Sequence, residues 1–226
     1  MGQYYKPCLL AKNKKTVLSF LYSHAYNNGL KLMEHSWIGN NLVRAFESLI
    51  FQNPQIVVWA GDYAEPCKGR KSNIYQRCID KKEIKPTTEL TDKDCRFVVN
   101  HTKKEFVDTT KVKQITAKWA SGSDFRIHPL PLLTCEGCGQ GGGDYFGKDK
   151  NKIIGTWARN LISVEPEAPI GYKTDSVEPI LDIKEKLKKR LSKPVYQFDL
   201  NGVFIKEWVS SSEASRVLGI SGGPIS

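Results

Sequence analysis

Hydrophobic and polar positions alternate over short stretches through the first 165 residues of the chain. Apolar or β-branched runs bounded by turn residues predict strands. We place these strands at 4–10, 17–22, 30–33, 56–60, 97–99, 106–108, 125–133 and 160–164. Strands that follow one another with few helices between them favour an α+β fold over a doubly wound parallel one. The pattern therefore predicts an α+β body with a mainly antiparallel mixed sheet.

The clearest helix in this body is NNLVRAFESLIFQ, at 40–52. Asn40 is positioned as its N-cap, and the apolar residues that follow recur at helical spacing. Pro54 then ends the helix. Farther along, VVNHTKKEFVD predicts a hairpin whose turn lies in the polar HTKK segment.

The composition changes at EPEAPIG (165–171), where prolines, acids and a glycine are typical of a linker. The following EPILDIKEKLKKRLSK has an apolar stripe at helical spacing, surrounded by lysines and an arginine. Such a helix either docks its stripe on a neighbour or lies along phosphates. We therefore divide the chain into a body (1–165), a linker with a basic amphipathic helix (166–193) and a C-terminal module (194–226).

The C-terminal module begins with alternating residues and an Asn201-Gly202 pair, which is a strong signal for a two-residue hairpin turn. Ser210 and Glu213 then form a capping box for a short helix at 211–218, which Gly219 ends. A capped helix followed by a tight corner is typical of a helix-turn-helix. The second helix would begin near Ser221.

The segment PVYQFDLNGVFIKEWVSSSEASRVLGIS (194–221) resembles the first type of nuclease-associated modular domain. The features it shares are Y-x-x-D-L-N-G, an aromatic residue late in the second strand, S-x-x-E-A-S and L-G-I-S. This family occurs as DNA-binding tails on homing endonucleases and related phage proteins. The resemblance implies a DNA-contacting module that positions an attached activity. The candidate DNA contacts are Lys206, Ser212, Arg216 and Ser221.

The chain departs from that family after the corner, where members continue through a full second helix. Here the sequence ends in GGPIS. Two glycines disfavour a helix by ~1 kcal/mol each. We therefore expect a truncated module whose recognition helix is missing or one turn long.

The body carries no recognised nuclease motif of the His-Asn-His or G-I-Y…Y-I-G kinds. Several strings in it, among them MGQYYKP, GLKLMEHSWIGNN and VVWAGDY, resemble uncharacterised proteins carried by phages. That resemblance implies a recurring domain of a phage or of a bacterial cytoplasm. It implies no chemistry.

Candidate chemistry lies where predicted strands end, because functional polar residues often lie there. Asp62 follows one such strand, His101 lies in the predicted hairpin turn, and Asp144 lies in the glycine-rich GCGQGGGDYFG at 137–147. We predict that these three converge as catalytic acid–base groups. The structural alternative is that the carboxylates cap turns and the histidine satisfies local backbone.

The same glycine-rich stretch can bring backbone N–H groups close to a phosphate. Its predicted ligand-binding residues are Gly141, Gly142, Gly143 and Tyr145, with a nucleotide or another anionic small molecule as the ligand. No motif identifies a cofactor. A protein-interaction module without chemistry is a further alternative.

The net charge of +10 favours nucleic acid as a partner. Residues 176–226 carry eight Lys/Arg against six Asp/Glu, a net +2, so most of the charge belongs to the rest of the chain. Its clusters there are 12–15, 68–71 and 148–152.

No run of 18 apolar residues and no signal peptide is present, which predicts a cytoplasmic protein that does not enter a membrane. Six cysteines without a secretion signal are expected to be reduced. Cys135-x-x-Cys138 is half of a zinc site or, alternatively, a pair of buried structural thiols.

Overall fold

The computed structural model describes residues 2–78, 83, 90–112, 115–116, 124–145, 150–174, 195–199, 202–208 and 217–218. The chain divides into two compact units, Met1–Leu181 and Asp182–Ser226. None of the helices in the described ranges is long and apolar enough to cross a membrane.

The first unit is built on a seven-stranded sheet. Its strands are β1 (Tyr5–Leu10), β2 (Val17–Phe20), β3 (Gln55–Gly61), β4 (Phe97–Asn100), β5 (Glu105–Asp108), β8 (Asn160–Glu165) and β9 (Lys173–Thr174). They lie in the order β2-β1-β3-β8-β4-β5-β9. Every neighbouring pair is antiparallel except β5 and β9, which are parallel. This arrangement confirms the predicted α+β, mainly antiparallel fold.

Short elements connect and cover this sheet. A separate pair of strands is formed by β6 (Ile115–Thr116) and β7 (Asp124–Phe125). The α-helices are α1 (Leu32–His35), α2 (Asn41–Ile50), α3 (Pro129–Thr134) and α4 (Lys150–Ile153). Within the described ranges, 3-10 helices lie at Ser23–Tyr26, Gln76–Cys78 and Thr109–Lys111.

Strand β3 is buried on both faces, because apolar layers cover the sheet from both sides. Val57 and Trp59 pack in the larger core with α2 and α3. Val58 and Ala60 face a second core that also contains Cys8 and Cys78. Successive residues of a strand point to opposite faces, so the continuous apolar run VVWA supplies both layers.

Two segments predicted as strands are helices instead. The segment predicted as a strand at 125–133 is extended only at its beginning, and α3 occupies the rest. The side chain of His128 accepts the N–H of Leu130, and prolines lie in the first helical turn. Proline at the start of a helix costs no hydrogen bond there. The apolar run therefore begins a buried helix, and the predicted strand at 30–33 likewise gives way to α1.

The second unit contains the predicted C-terminal hairpin, formed by β10 (Val195–Phe198) and β11 (Phe204–Trp208). At its turn, the N–H of Gly202 donates to the carbonyl of Asp199 at 3.1 Å. Val217 and Leu218, the last two residues of the predicted helix at 211–218, are helical and exposed. The rest of the predicted helix-turn-helix and the basic amphipathic helix lie outside the described residues. The range 166–193, predicted to be a linker with a basic helix, includes β9, which pairs with β5 in the first unit.

Candidate functional site

Asp144 lies fully buried inside the glycine-rich loop. Its Oδ2 accepts the N–H groups of Gly139 at 2.7 Å and Gly141 at 3.0 Å. Its Oδ1 accepts the hydroxyl of Tyr5, on β1, at 3.1 Å. Burial raises the pKa of the Asp144 carboxyl. The side chain therefore ties the loop to the first strand of the sheet.

The glycines of this loop lie against the protein's own N-terminal segment. Gly142 forms a backbone bridge with Gly2. A Cβ atom on Gly141 would collide with Gln3, and one on Gly143, which has φ +83°, would collide with Lys31. The absence of side chains thus permits close packing between segments of one chain.

An anionic ligand at this loop would compete with Asp144 for backbone donors. The N–H groups of Gly139 and Gly141 already donate to its carboxylate. Tyr145 is fully buried, and its N–H donates to the Cys138 thiol at 3.2 Å. Ligand binding by Gly141, Gly142, Gly143 and Tyr145 stays a prediction, and it requires displacement of the Asp144 carboxylate.

Asp62 lies at the same end of β1 as Asp144. Its Oδ1 accepts the N–H of Tyr4 at 3.0 Å, and its own N–H donates to the carbonyl of Tyr4 at 3.0 Å. Tyr4 and Tyr5 are neighbours in the chain, and Tyr5 pairs with Gly61. Neighbouring residues of the N-terminal segment therefore hold the two carboxylates, so the fold brings Asp62 and Asp144 to one end of β1.

His101 lies at the other end of the sheet. It follows β4, and its N–H donates to the carbonyl of Leu161, which pairs with Ile56 at the start of β3. Asp62 comes just after the opposite end of β3, about 20 Å farther along at the usual rise per residue. The structure does not place His101 with the two aspartates. A catalytic role for each of the three stays a prediction.

The His101 ring belongs to a polar chain that sequence reasoning did not identify. Ser163 Oγ donates to Glu165 Oε1 at 2.6 Å. The Ser163 hydroxyl has only one proton and donates it to Glu165, so it must accept its other hydrogen bond. His101 Nε2, at 2.8 Å from Ser163 Oγ, therefore carries a proton and donates it. Nδ1 is then free to accept the Tyr172 hydroxyl at 3.1 Å.

Four side chains therefore form a hydrogen-bond relay in which every donor points the same way. Tyr172 donates to His101, His101 to Ser163, and Ser163 to Glu165. Burial lowers the pKa of His101, which keeps the ring neutral as the chain requires. Such a chain can relay a proton across the sheet surface. Ser163 and Glu165 lie two positions apart on β8, so their side chains share one face of the strand. No motif in the sequence links them to His101.

Two basic clusters that are distant in sequence meet at the end of the sheet where β3 begins. Lys15 Nζ donates to the carbonyl of Lys68 at 2.8 Å, and Arg77 donates to the carbonyl of Lys15 at 2.7 Å. We call this surface the basic patch, and it comprises Lys12, Lys14, Lys15, Lys68, Arg70 and Lys71. All are exposed except Lys15, which is half-buried. Clustered cations of this kind attract phosphate.

In the second unit, the cation of Lys206 is held over an aromatic ring. Its Nζ lies 4.2 Å from the centroid of Trp208, whose indole N–H donates to Gln197 at 3.1 Å. Trp208 is buried and Lys206 is exposed. The cation–π contact therefore orients one candidate DNA contact. The other three, Ser212, Arg216 and Ser221, lie outside the described residues.

Comparison with known proteins identifies the C-terminal module. The family described as the NUMOD1 domain matches residues 193–225. This match confirms the resemblance to the nuclease-associated modular domain and indicates a DNA-contacting module. No curated protein and no solved structure matches the chain significantly. The resemblance of the body to phage-borne proteins stays a prediction.

Proposed function

We propose that this protein is a phage-type accessory protein that binds duplex DNA through its C-terminal module and holds the α+β body beside the DNA. The observation that carries the proposal is the NUMOD1 match over residues 193–225. A module of this kind positions an attached domain.

Two surfaces support the proposal on physical grounds. Lys206 offers an exposed cation that the Trp208 ring orients. The basic patch offers five further exposed cations on the body. Each phosphate that a lysine or arginine neutralises releases counterions, which makes binding favourable and dependent on salt.

The proposal is tested by titrating a labelled duplex with the full chain and with a chain lacking 176–226. We expect the full chain to bind with an affinity that falls steeply as salt rises, with a slope of ~0.9 per neutralised phosphate. The shortened chain should bind more weakly and with a smaller slope. Equal binding by the two chains, measured by fluorescence anisotropy, would contradict the proposal.

A point variant sharpens the same experiment. Lys206→Ala should reduce the salt slope by ~0.9, because one phosphate contact is lost. The matched control is Lys111→Ala, which removes an exposed lysine next to β5 in the body. The same loss in both variants would show that net charge, and not the module, governs binding.

A further inference from the structure

Two buried thiols from distant parts of the chain are in contact beneath the sheet. The Sγ atoms of Cys8, on β1, and Cys78, at the end of a 3-10 helix, lie 3.4 Å apart. Both residues are fully buried. A disulfide has an S–S length of about 2.05 Å, so the two atoms need to approach by only about 1.4 Å to bond.

A buried lysine accompanies this pair. Lys6 lies two residues before Cys8, so both side chains are on the same face of β1. Its Nζ is enclosed by aromatic rings, at 4.3 Å from the Tyr75 centroid, 5.2 Å from Phe20 and 5.7 Å from Tyr22. Only 8% of the residue is exposed.

This ammonium has no carboxylate partner at ion-pair distance among the described residues. Cation–π contacts offset part of the cost of burying a charge, but a buried cation is stabilised most by a nearby anion. Burial raises the pKa of the neighbouring Tyr75 phenol to about 12, so that group does not supply the anion at neutral pH. The thiols of Cys8 and Cys78 ionise more readily and can supply it. Cys78 is the better of the two, because the hydrogen bond from Cys8 and the charge of Lys6 lower its pKa.

The two thiols therefore have different roles. Burial raises the pKa of Cys8, which keeps that group protonated and able to donate to its neighbour. A thiol of lowered pKa beside a cation and a second thiol in contact with it are two features of redox-sensitive cysteines. The third feature is solvent access, and since both residues are fully buried, peroxide reaches them through local opening of the body.

We propose that Cys8 and Cys78 are a redox-modification site, at which hydrogen peroxide converts the two thiols into an intramolecular disulfide. The Cys78 thiolate attacks one peroxide oxygen, the O–O bond breaks, and the leaving hydroxide takes up a proton to become water. The sulfur of Cys8 then attacks the sulfenic acid on Cys78. The S–S bond forms, the S–O bond breaks and a second water leaves. Two thiols are oxidised and one peroxide is reduced to two waters.

The disulfide would join β1, the strand next to the edge strand β2, to the 3-10 helix Gln76–Cys78 on the second core. Nothing in this chemistry depends on the DNA-contacting module. It gives the body a chemical state that responds to peroxide.

The experiment uses the reduced, full-length chain treated with increasing peroxide, then alkylated in denaturant and digested without reductant. We expect a cross-linked pair of peptides containing Cys8 and Cys78, with a mass about 2 Da below that of the two reduced peptides, since two hydrogens are lost. Reductant should restore both thiols.

Cys138 provides an internal reference, because it is half-buried while the other five cysteines are buried. Peroxide that oxidises Cys138 but leaves Cys8 and Cys78 fully alkylatable would overturn the proposal. So would a Cys135–Cys138 disulfide as the sole cross-linked product.

Two variants test the assigned roles. Cys8→Ser should abolish the cross-link and leave Cys78 as a sulfenic or sulfinic acid, whereas Cys135→Ser should leave the cross-link unchanged. Lys6→Met keeps the apolar stem and removes the charge. Each unit by which the pKa of Cys78 then rises cuts its thiolate fraction about tenfold, so the disulfide should form more slowly. An unchanged rate of disulfide formation would show that the Lys6 charge does not activate Cys78.

Discussion

His35 is fully buried, and both nitrogens of its neutral ring take part in hydrogen bonds. Trp59 donates its indole N–H to His35 Nε2 at 2.9 Å, so Nε2 carries no proton. Nδ1–H therefore donates to the carbonyl of Gly29 at 3.0 Å. Burial lowers the pKa of His35 to about 4. The residue links α1 to the central strand β3.

This link predicts a loss of stability in acid. The unfolded histidine binds a proton below its ordinary pKa of about 6.5, while the folded one does so only near pH 4. The contribution of neutral His35 to the free energy of unfolding is therefore fully present above pH 6.5. It is lost as the pH falls toward 4, which lowers the free energy of unfolding by about 3 kcal/mol.

The measurement is urea unfolding of the wild type and His35→Asn at pH 7 and pH 4. Asn cannot titrate, so the stability advantage of the wild type should shrink at the lower pH. A constant difference between the two proteins at both pH values would mean that His35 is not held neutral.

At the scale of elements, α2 shows how a local cap sets a helix boundary. The side chain of Asn40 accepts the N–H groups of Leu42 at 2.9 Å and Val43 at 3.4 Å. It also donates to Asn28 at 2.7 Å. These bonds satisfy backbone donors that have no partner within the helix.

Asn40→Ala is therefore expected to reduce the free energy of unfolding by ~1 kcal/mol or more, the usual cost of losing an N-cap. The matched control is Asn41→Ala, which changes the same residue type one position later, where the side chain is exposed. Denaturant titration should show a clear loss for the first variant and little change for the second. Similar midpoints for both variants would rule out the capping role.

One of the mispredicted segments has a continuous apolar run. The segment IHPLPLLT has no alternation that distinguishes a buried strand from a buried helix. Only the cap from His128 and the prolines in the first turn favour α3, and all six of its residues are buried in the core. In contrast, α2 has polar and apolar positions at helical spacing, and its cap was readable from the sequence.

At the scale of the whole molecule, the basic patch predicts a second contact with DNA, on the assumption that the module binds it. Reversing Lys68 and Lys71 to Glu should weaken duplex binding by the full chain and reduce the salt slope. Reversing Lys93 and Lys111, exposed residues that flank β4 and β5 away from β1 and β2, changes the net charge by the same amount. Equal effects of the two double variants, measured by anisotropy, would argue against a defined surface.

The local features of this protein were determined by its sequence. Apolar or β-branched runs bounded by turn residues predicted β1, β2 and β3, an Asn cap predicted the start of α2, and turn chemistry predicted the hairpin of β10 and β11. Each depends on residues close together in the chain, so the relevant physical preferences are present in a short segment.

Tertiary structure alone decided which side chains meet. Tyr5 bonds Asp144, Cys8 contacts Cys78 and Lys15 reaches Lys68, each across many residues of sequence. The same fold separates His101 from Asp62, which the sequence had grouped. These outcomes follow from the strand order β2-β1-β3-β8-β4-β5-β9. That order depends on long-range pairing and on the burial of both faces of β3, and neither can be read from local periodicity.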